Sequence, residues 1–232
     1  EEVEERVRKL FEWRVPEDPL LDVALEKLSL GRAYLLKASG FQISDSKFQI
    51  KRFEEAGEYL TQAVDGLREA GAQEFVVRGL LGRAEYYRYV GEYEKAWGDL
   101  GEAREIAERG EMGRWLADCC LEEARLCLWQ AQECRTPNIE IRKLKERRTE
   151  RKQKVVPFGG YERVEMGGEE ILAEGRKYLE KARSEVDEMG YHRRGPEVLL
   201  IEAEVLILEG KKEEGKKTLE KAKARIDEMG CH

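Results

Sequence analysis

Glu180-Lys181-Ala182-Arg183-Ser184-Glu185-Val186-Asp187-Glu188-Met189-Gly190 returns 40 residues later as Glu220-Lys221-Ala222-Lys223-Ala224-Arg225-Ile226-Asp227-Glu228-Met229-Gly230. The echo continues past the glycine, where Tyr191-His192 becomes Cys231-His232. Self-similarity at a fixed period of this size is the signature of stacked repeats, in which each unit buries its apolar face only against its neighbours. Within each copy, apolar or small residues recur at three- and four-residue steps (Leu179, Ala182, Val186 and Leu219, Ala222, Ile226), which predicts amphipathic helices. The expected fold is therefore all-α: a solenoid of antiparallel helix pairs, A and B, with a 40-residue period.

The bulk composition agrees. Charged residues are 39% and hydrophobic residues 41% of the 232, with only 5 prolines, the profile of a helix-rich chain with enough apolar surface for a core. No apolar run approaches the ~20 residues of a membrane span, and the acidic start Glu1-Glu2-Val3-Glu4-Glu5 is unlike a signal peptide. A cytoplasmic location is expected. The first residue is not Met, so the chain is expected to be a piece of something longer.

The units can be placed on one frame. The clearest runs Leu80-Leu81-Gly82-Arg83-Ala84-Glu85-Tyr86-Tyr87-Arg88-Tyr89-Val90-Gly91, then Glu92-Tyr93-Glu94-Lys95-Ala96-Trp97. Its pattern of Ala84, Tyr87, Gly91, Tyr93, Ala96, Leu100 and Ala103 resembles the tetratricopeptide repeat (TPR), lengthened from the usual period of about 34. On helix A, Ala33, Ala124 and Ala203 are expected to match Ala84, with Leu36 and Gly40, Cys127, and Leu206 and Gly210 following. On helix B, Ala56, Gly175 and Gly215 are expected to match Ala96. Repeats then fall at about 20–71, 72–110, 111–190 and 191–232, after a leading helix and linker over 1–19. The spacing of the first three A-helix alanines and Ala203 (51, 40, 79) places insertions at about 41–51 and 135–168, both in A–B turns. Gly71, Gly110, Gly190 and Gly230 are expected as left-handed caps after B helices, and Pro196 in the first turn of the last A helix.

The second insertion is strongly basic. Arg142, Lys143, Lys145, Arg147, Arg148, Arg151, Lys152 and Lys154 stand against only Glu146 and Glu150, a net +6 in a chain of net −7. Such a run suits nucleic acid or an acidic partner. It equally suits a solvated loop lying back on an acidic solenoid, and no stacking aromatics are interleaved with it.

Chemistry-bearing patterns are weak elsewhere. Gly210-Lys211-Lys212-Glu213-Glu214-Gly215-Lys216-Lys217-Thr218 departs from a phosphate-binding loop because Lys217 separates Thr218 from the Gly-Lys pair, and no strand precedes it. Cys119, Cys120, Cys127 and Cys134 are spaced along one helix, too far apart to share a zinc ion, and read as small buried hydrophobes in a reducing compartment. His192 and His232 sit at equivalent turn positions. No catalytic, cofactor-binding or metal-ligating residues are expected, and no membrane partner.

Longer strings carry a more specific resemblance: Tyr59-Leu60-Thr61-Gln62-Ala63-Val64-Asp65-Gly66-Leu67-Arg68, Arg78 to Ala84, Glu102 to Gly110, Leu116-Ala117-Asp118-Cys119, and Glu188-Met189-Gly190-Tyr191-His192-Arg193-Arg194. Together they resemble the C-terminal TPR region of prokaryotic NACHT-type STAND signalling ATPases. The resemblance implies a sensing region that binds a trigger, often a foreign protein in antiviral defence, and releases an ATPase absent from these residues. It departs in one place, since Tyr191-His192-Arg193-Arg194 lies one repeat earlier than in the family pattern. In TPR proteins helix A lines the binding groove. Transferring those positions gives Lys27, Tyr34 and Lys37, then Arg78, Glu85, Arg88 and Tyr89, then Asp118, Arg125 and Trp129, and last Glu197 and Glu204. The implied function is a protein- or peptide-recognition module. Nucleic-acid binding through residues 142–154 and self-association through the terminal repeats are the competing expectations.

Overall fold

The computed structural model describes residues 19–40, 46–135 and 167–230, together with Glu5, Arg6 and Lys9 of a leading helical segment. The basic insertion lies outside the described residues. Among the described residues, eight α-helices pack in neighbouring pairs and no strand occurs. They are α1 (Leu20–Ser39), α2 (Ser46–Glu69), α3 (Gln73–Tyr89), α4 (Tyr93–Arg109), α5 (Gly113–Arg135), α6 (Gly168–Glu188), α7 (Gly195–Leu208) and α8 (Lys212–Glu228). A short 3-10 turn, His192–Arg194, precedes α7, and Pro196 stands in the first turn of that helix. The architecture is all-α and consistent with a helical repeat. No helix among the described residues is long and apolar enough to cross a membrane.

The repetition is visible in the backbone of the turns. After α3, the Glu92 N–H donates to Tyr87 O at 2.9 Å and the Gly91 N–H to Arg88 O at 3.2 Å. The same pair of bonds closes α4 (Met112 to Ala107, Glu111 to Glu108), α6 (Tyr191 to Val186, Gly190 to Asp187) and α7 (Lys211 to Leu206, Gly210 to Ile207). This is the Schellman arrangement, which needs one left-handed residue. Gly91, Gly190 and Gly210 supply it with φ of 72°, 62° and 85°. The turn after α4 corrects the sequence expectation for Gly110. Glycine comes one residue too early there, and Glu111 takes the left-handed conformation at φ 51°.

The chain forms two compact units that meet in sequence at Ile106 and Ala107. In the first unit, close approach is made through glycines. An ideal Cβ on Gly31 of α1 would lie 2.8 Å from Leu60 Cγ of α2. One on Gly57 of α2 would lie 2.3 Å from Tyr86 Oη of α3, and one on Gly79 of α3 would lie 2.9 Å from Leu67 Cδ1. These contacts correct the frame drawn for the first repeat. The buried stripe of α1 runs through Ala24, Leu28, Gly31, Leu35 and Ala38. Ala33 is half-buried and Leu36 is 69% exposed, so the small residue at the helix contact is Gly31, two positions earlier. Gly40 is extended, not left-handed. The helix after it already begins at Ser46, so residues 46–51 of the expected first insertion belong to α2.

In the second unit, α5, α6 and α7 share one apolar cluster. It holds Ala117, Leu121, Ala124 and Leu128 with Leu172, Leu179, Ala182 and Val186, and Val198, Ile201 and Val205. Gly175 lies against Cys127, where a Cβ would come within 2.8 Å of the cysteine Cβ. A Cβ on Gly215 of α8 would come within 2.7 Å of Ile207 Cγ1 and 3.1 Å of the Ala203 carbonyl of α7. Cys119, Cys120 and Cys127 are buried and form no disulfide among the described residues, but Cys134 is exposed, contrary to its expected burial.

Candidate functional site

The expected recognition residues separate into two sets, one on each unit. In the first unit, α3 carries Arg78, Glu85 and Tyr89 at seven- and four-residue steps, which places them along one helical stripe. Arg78 is exposed, and Glu85 and Tyr89 are half-buried. Lys27 and Lys37 are half-buried on α1. Tyr34 is buried instead: its ring packs 5.6 Å from that of Tyr59, with the Arg52 guanidinium 4.7 Å above it. Arg88 is also buried, stacked 4.8 Å over Tyr89 and 3.9 Å from Glu85. Phe53 of α2 backs Tyr89 at 6.3 Å between ring centroids. The aromatic end of the stripe is thus held by Phe53 and Arg88.

Sequence reading missed a buried two-bond ion pair in this unit. Arg83 of α3 grips Asp99 of α4 with two parallel bonds, Nη2 to Oδ1 at 2.7 Å and Nε to Oδ2 at 2.8 Å. Both side chains are buried. Burial works against the charge of Arg83, but the Asp99 carboxylate outweighs it and holds the guanidinium above its ordinary value. Burial pushes the Asp99 carboxyl up, and Arg83 recovers only part of that shift. The 16-residue separation of the pair was visible, yet nothing in the sequence distinguished it from the many exposed charge pairs. On α2, Arg68 reaches Glu102 of α4 with Nη2 to Oε2 at 2.6 Å, at the surface.

In the second unit, most of the expected groove charges are taken up by one another. Asp118 of α5 is buried and receives Arg194 from the 3-10 turn, with Nη2 donating to Oδ2 at 2.9 Å. Arg194 also pairs with Glu197 at the start of α7. Glu197 accepts a second bond from Arg125 Nη2 of α5 at 3.0 Å, and Arg125 Nη1 donates to Glu122 at 3.2 Å. Five charged groups therefore form one network that ties α5 to α7. Burial pulls the Glu197 carboxyl up, but Arg125 and Arg194 together hold it below its ordinary value. Asp118 goes the other way, because burial exceeds what Arg194 restores. Trp129 is half-buried and Glu204 is exposed. Arg194 could not be assigned to this network from sequence, because its partner Asp118 lies 76 residues away.

Among the described residues, no group of three or more His, Cys, Asp or Glu side chains is placed to hold a metal ion. Comparison with protein-family models, with curated proteins and with solved structures finds no match for this chain.

Proposed function

We propose that this chain is a non-catalytic protein-recognition module, a TPR-like helical repeat that senses a protein or peptide ligand for a larger signalling ATPase in the cytoplasm. The observation that carries the reading is the α3 stripe, where Arg78 is exposed above Glu85 and Tyr89. Arg and Tyr are the side chains most often found at the energetic centre of protein interfaces. A tyrosine already braced by Phe53 and Arg88 loses little freedom when a ligand covers it. The recurring Schellman turns support the repeat reading, since α4, α5 and α8 each start two residues past the left-handed residue. The buried thiols of Cys119, Cys120 and Cys127 suit a reducing compartment. The link to defence ATPases rests on the sequence strings around Leu60, Ala84, Ala107 and Tyr191. Sensing would operate by population shift, with the ligand binding one state of the parent more tightly than another.

The test is capture from host lysate, with and without viral infection and after nuclease treatment. The intact chain should retain a protein that Arg78→Glu with Tyr89→Ala loses by about tenfold or more. Capture that is indifferent to those substitutions refutes the assignment of the stripe. A second reading is favoured by the net +6 of residues 142–154, namely binding of nucleic acid or another polyanion. It requires affinity that falls steeply with salt and that disappears when residues 138–160 are deleted.

A further inference from the structure

We infer that the outer face of α8, formed by Lys216, Leu219, Lys223 and Ile226, docks an acidic amphipathic helix. That helix carries two carboxylates seven residues apart beside an apolar stripe. The inference is independent of the α3 stripe and would survive its failure.

One helix occurs twice in this unit, in different surroundings. Arg176, Leu179, Ala182, Arg183 and Val186 of α6 recur 40 residues later as Lys216, Leu219, Ala222, Lys223 and Ile226 of α8. Each copy packs on the helix before it, so Ala182 and Ala222 are both fully buried. Among the described residues, only α6 is also covered on its other side, by α7. There Arg176 pairs with Glu209, and Arg183 Nη2 lies 2.8 Å from Glu202 Oε2. Leu179 and Val186 join Val198, Ile201 and Val205 in the apolar cluster. The result is a Leu179 that is 4% exposed, whereas its copy Leu219 is 37% exposed. Val186 is buried and its copy Ile226 only half-buried. Met189 and Met229, which lie beyond this stripe, are equally exposed at 42% and 41%. The loss of cover at Leu219 and Ile226 therefore falls on the strip that α7 covers on α6.

The strip keeps the chemistry that α7 recognises. Both cations persist as lysines, the leucine is unchanged, and valine becomes isoleucine. A partner must then offer what α7 offers: Glu202 and Glu209 flanking a Val198, Ile201, Val205 stripe. Matching charge selects an acidic helix over a basic one and fixes its register. An isolated hydrophobic contact would do neither.

The probe is a fluorescent peptide of residues 196–211 with Leu200→Gln and Ile207→Gln to keep it soluble, titrated against the intact chain by anisotropy. Binding is expected, weakened about tenfold in the Lys216→Glu with Lys223→Glu variant, since two interfacial charge pairs become repulsions. A peptide with Glu202→Lys and Glu209→Lys should reverse that preference and bind the variant better. Circular dichroism of the variant checks that these exposed substitutions leave the fold intact. Three results overturn the inference. They are an absence of peptide binding, binding that ignores the Lys216 and Lys223 reversals, and a concentration-dependent dimer that the reversals abolish. The last would give the face to a second copy of the chain.

Discussion

Glycines in these helices do two opposite jobs, and alanine substitution separates them. Gly98 and Gly101 lie inside α4, and a Cβ on either meets nothing within 4 Å. Replacing each by alanine removes the helix-interior penalty of glycine, about 0.8–1 kcal/mol, with nothing to set against it. The double variant should gain about 1.5–2 kcal/mol. Gly57 in α2 has the same propensity gain available but a different neighbour. Its Cβ would lie 2.3 Å from Tyr86 Oη and 2.4 Å from Cζ, against a normal contact nearer 3.4 Å. Tyr86 is fully buried, with the Tyr87 ring 5.4 Å away, so its ring must shift by about 1 Å in a packed interior. Overpacking of that kind costs about 1–3 kcal/mol, which exceeds the helix gain and leaves Gly57→Ala destabilised by about 0–2 kcal/mol. All three residues belong to the first unit, so the comparison is made within one cooperative region. Urea unfolding followed by far-ultraviolet circular dichroism gives the three free energies. Gly57→Ala stabilising as much as Gly98→Ala would refute the packing described for α2 and α3, and a neutral Gly98/Gly101 double variant would refute the open surroundings of α4.

Three further outcomes follow from named contacts. Glu111→Gly should stabilise by about 1 kcal/mol, because the left-handed position after α4 penalises a side chain, while Gly91→Ala at the matching position should destabilise by a similar amount; both are read from urea midpoints. Asp99→Ala leaves Arg83 buried without its bidentate partner and should cost about 3–5 kcal/mol, of which Arg83→Met with Asp99→Leu should recover most. Glu197 is held below its ordinary value, so its contribution is complete above about 4.3 and is lost as pH falls through the lower folded value. Asp118 has the opposite sign, contributing most when protonated and less as pH rises through its raised value. Glu197→Gln should therefore flatten the acid limb of a stability–pH curve, and Asp118→Asn should steepen it; equal slopes in both variants would contradict the network.

Much of the helical order was legible because it is written in local signals. The 40-residue echo, the Gly-containing turns and Pro196 mark element ends with residues whose backbone preferences act within one turn. Legibility fails where a position is decided across helices. Ala33 satisfies the small-residue spacing as well as Gly31 does, and only the approach of Leu60 selects Gly31. Gly110 looks like a cap, but the helix stops one residue later than the glycine requires, leaving Glu111 at positive φ. Among the expected site residues, Arg78, Glu85 and Tyr89 were carried over from the TPR resemblance, and their seven- and four-residue steps set them on one stripe of α3. Periodicity was not enough to foresee that Tyr34 is covered by Tyr59 and Arg52, or Arg88 drawn beneath Tyr89.

The charge network of the second unit bears on where a ligand can gain free energy. Arg125 and Glu197 were expected to face a partner, and both are half-buried, so a ligand could reach them. Reaching them is not the same as binding through them. A ligand carboxylate that approached Arg125 would have to displace Glu197, and Glu197 would then keep only Arg194 while remaining partly desolvated. Exchanging one acceptor for another leaves the guanidinium about as well satisfied as before, and the displaced carboxylate worse. The net gain at Arg125 is therefore close to zero or negative. Arg78 presents the contrasting case, since its side chain is exposed and pairing it with a ligand carboxylate sacrifices no buried ion pair. On this reasoning, Arg125→Ala should lower the stability of the second unit with little change in ligand affinity. Arg78→Ala should do the reverse, and a crossed result in the two assays would move the recognition face from α3 to α5.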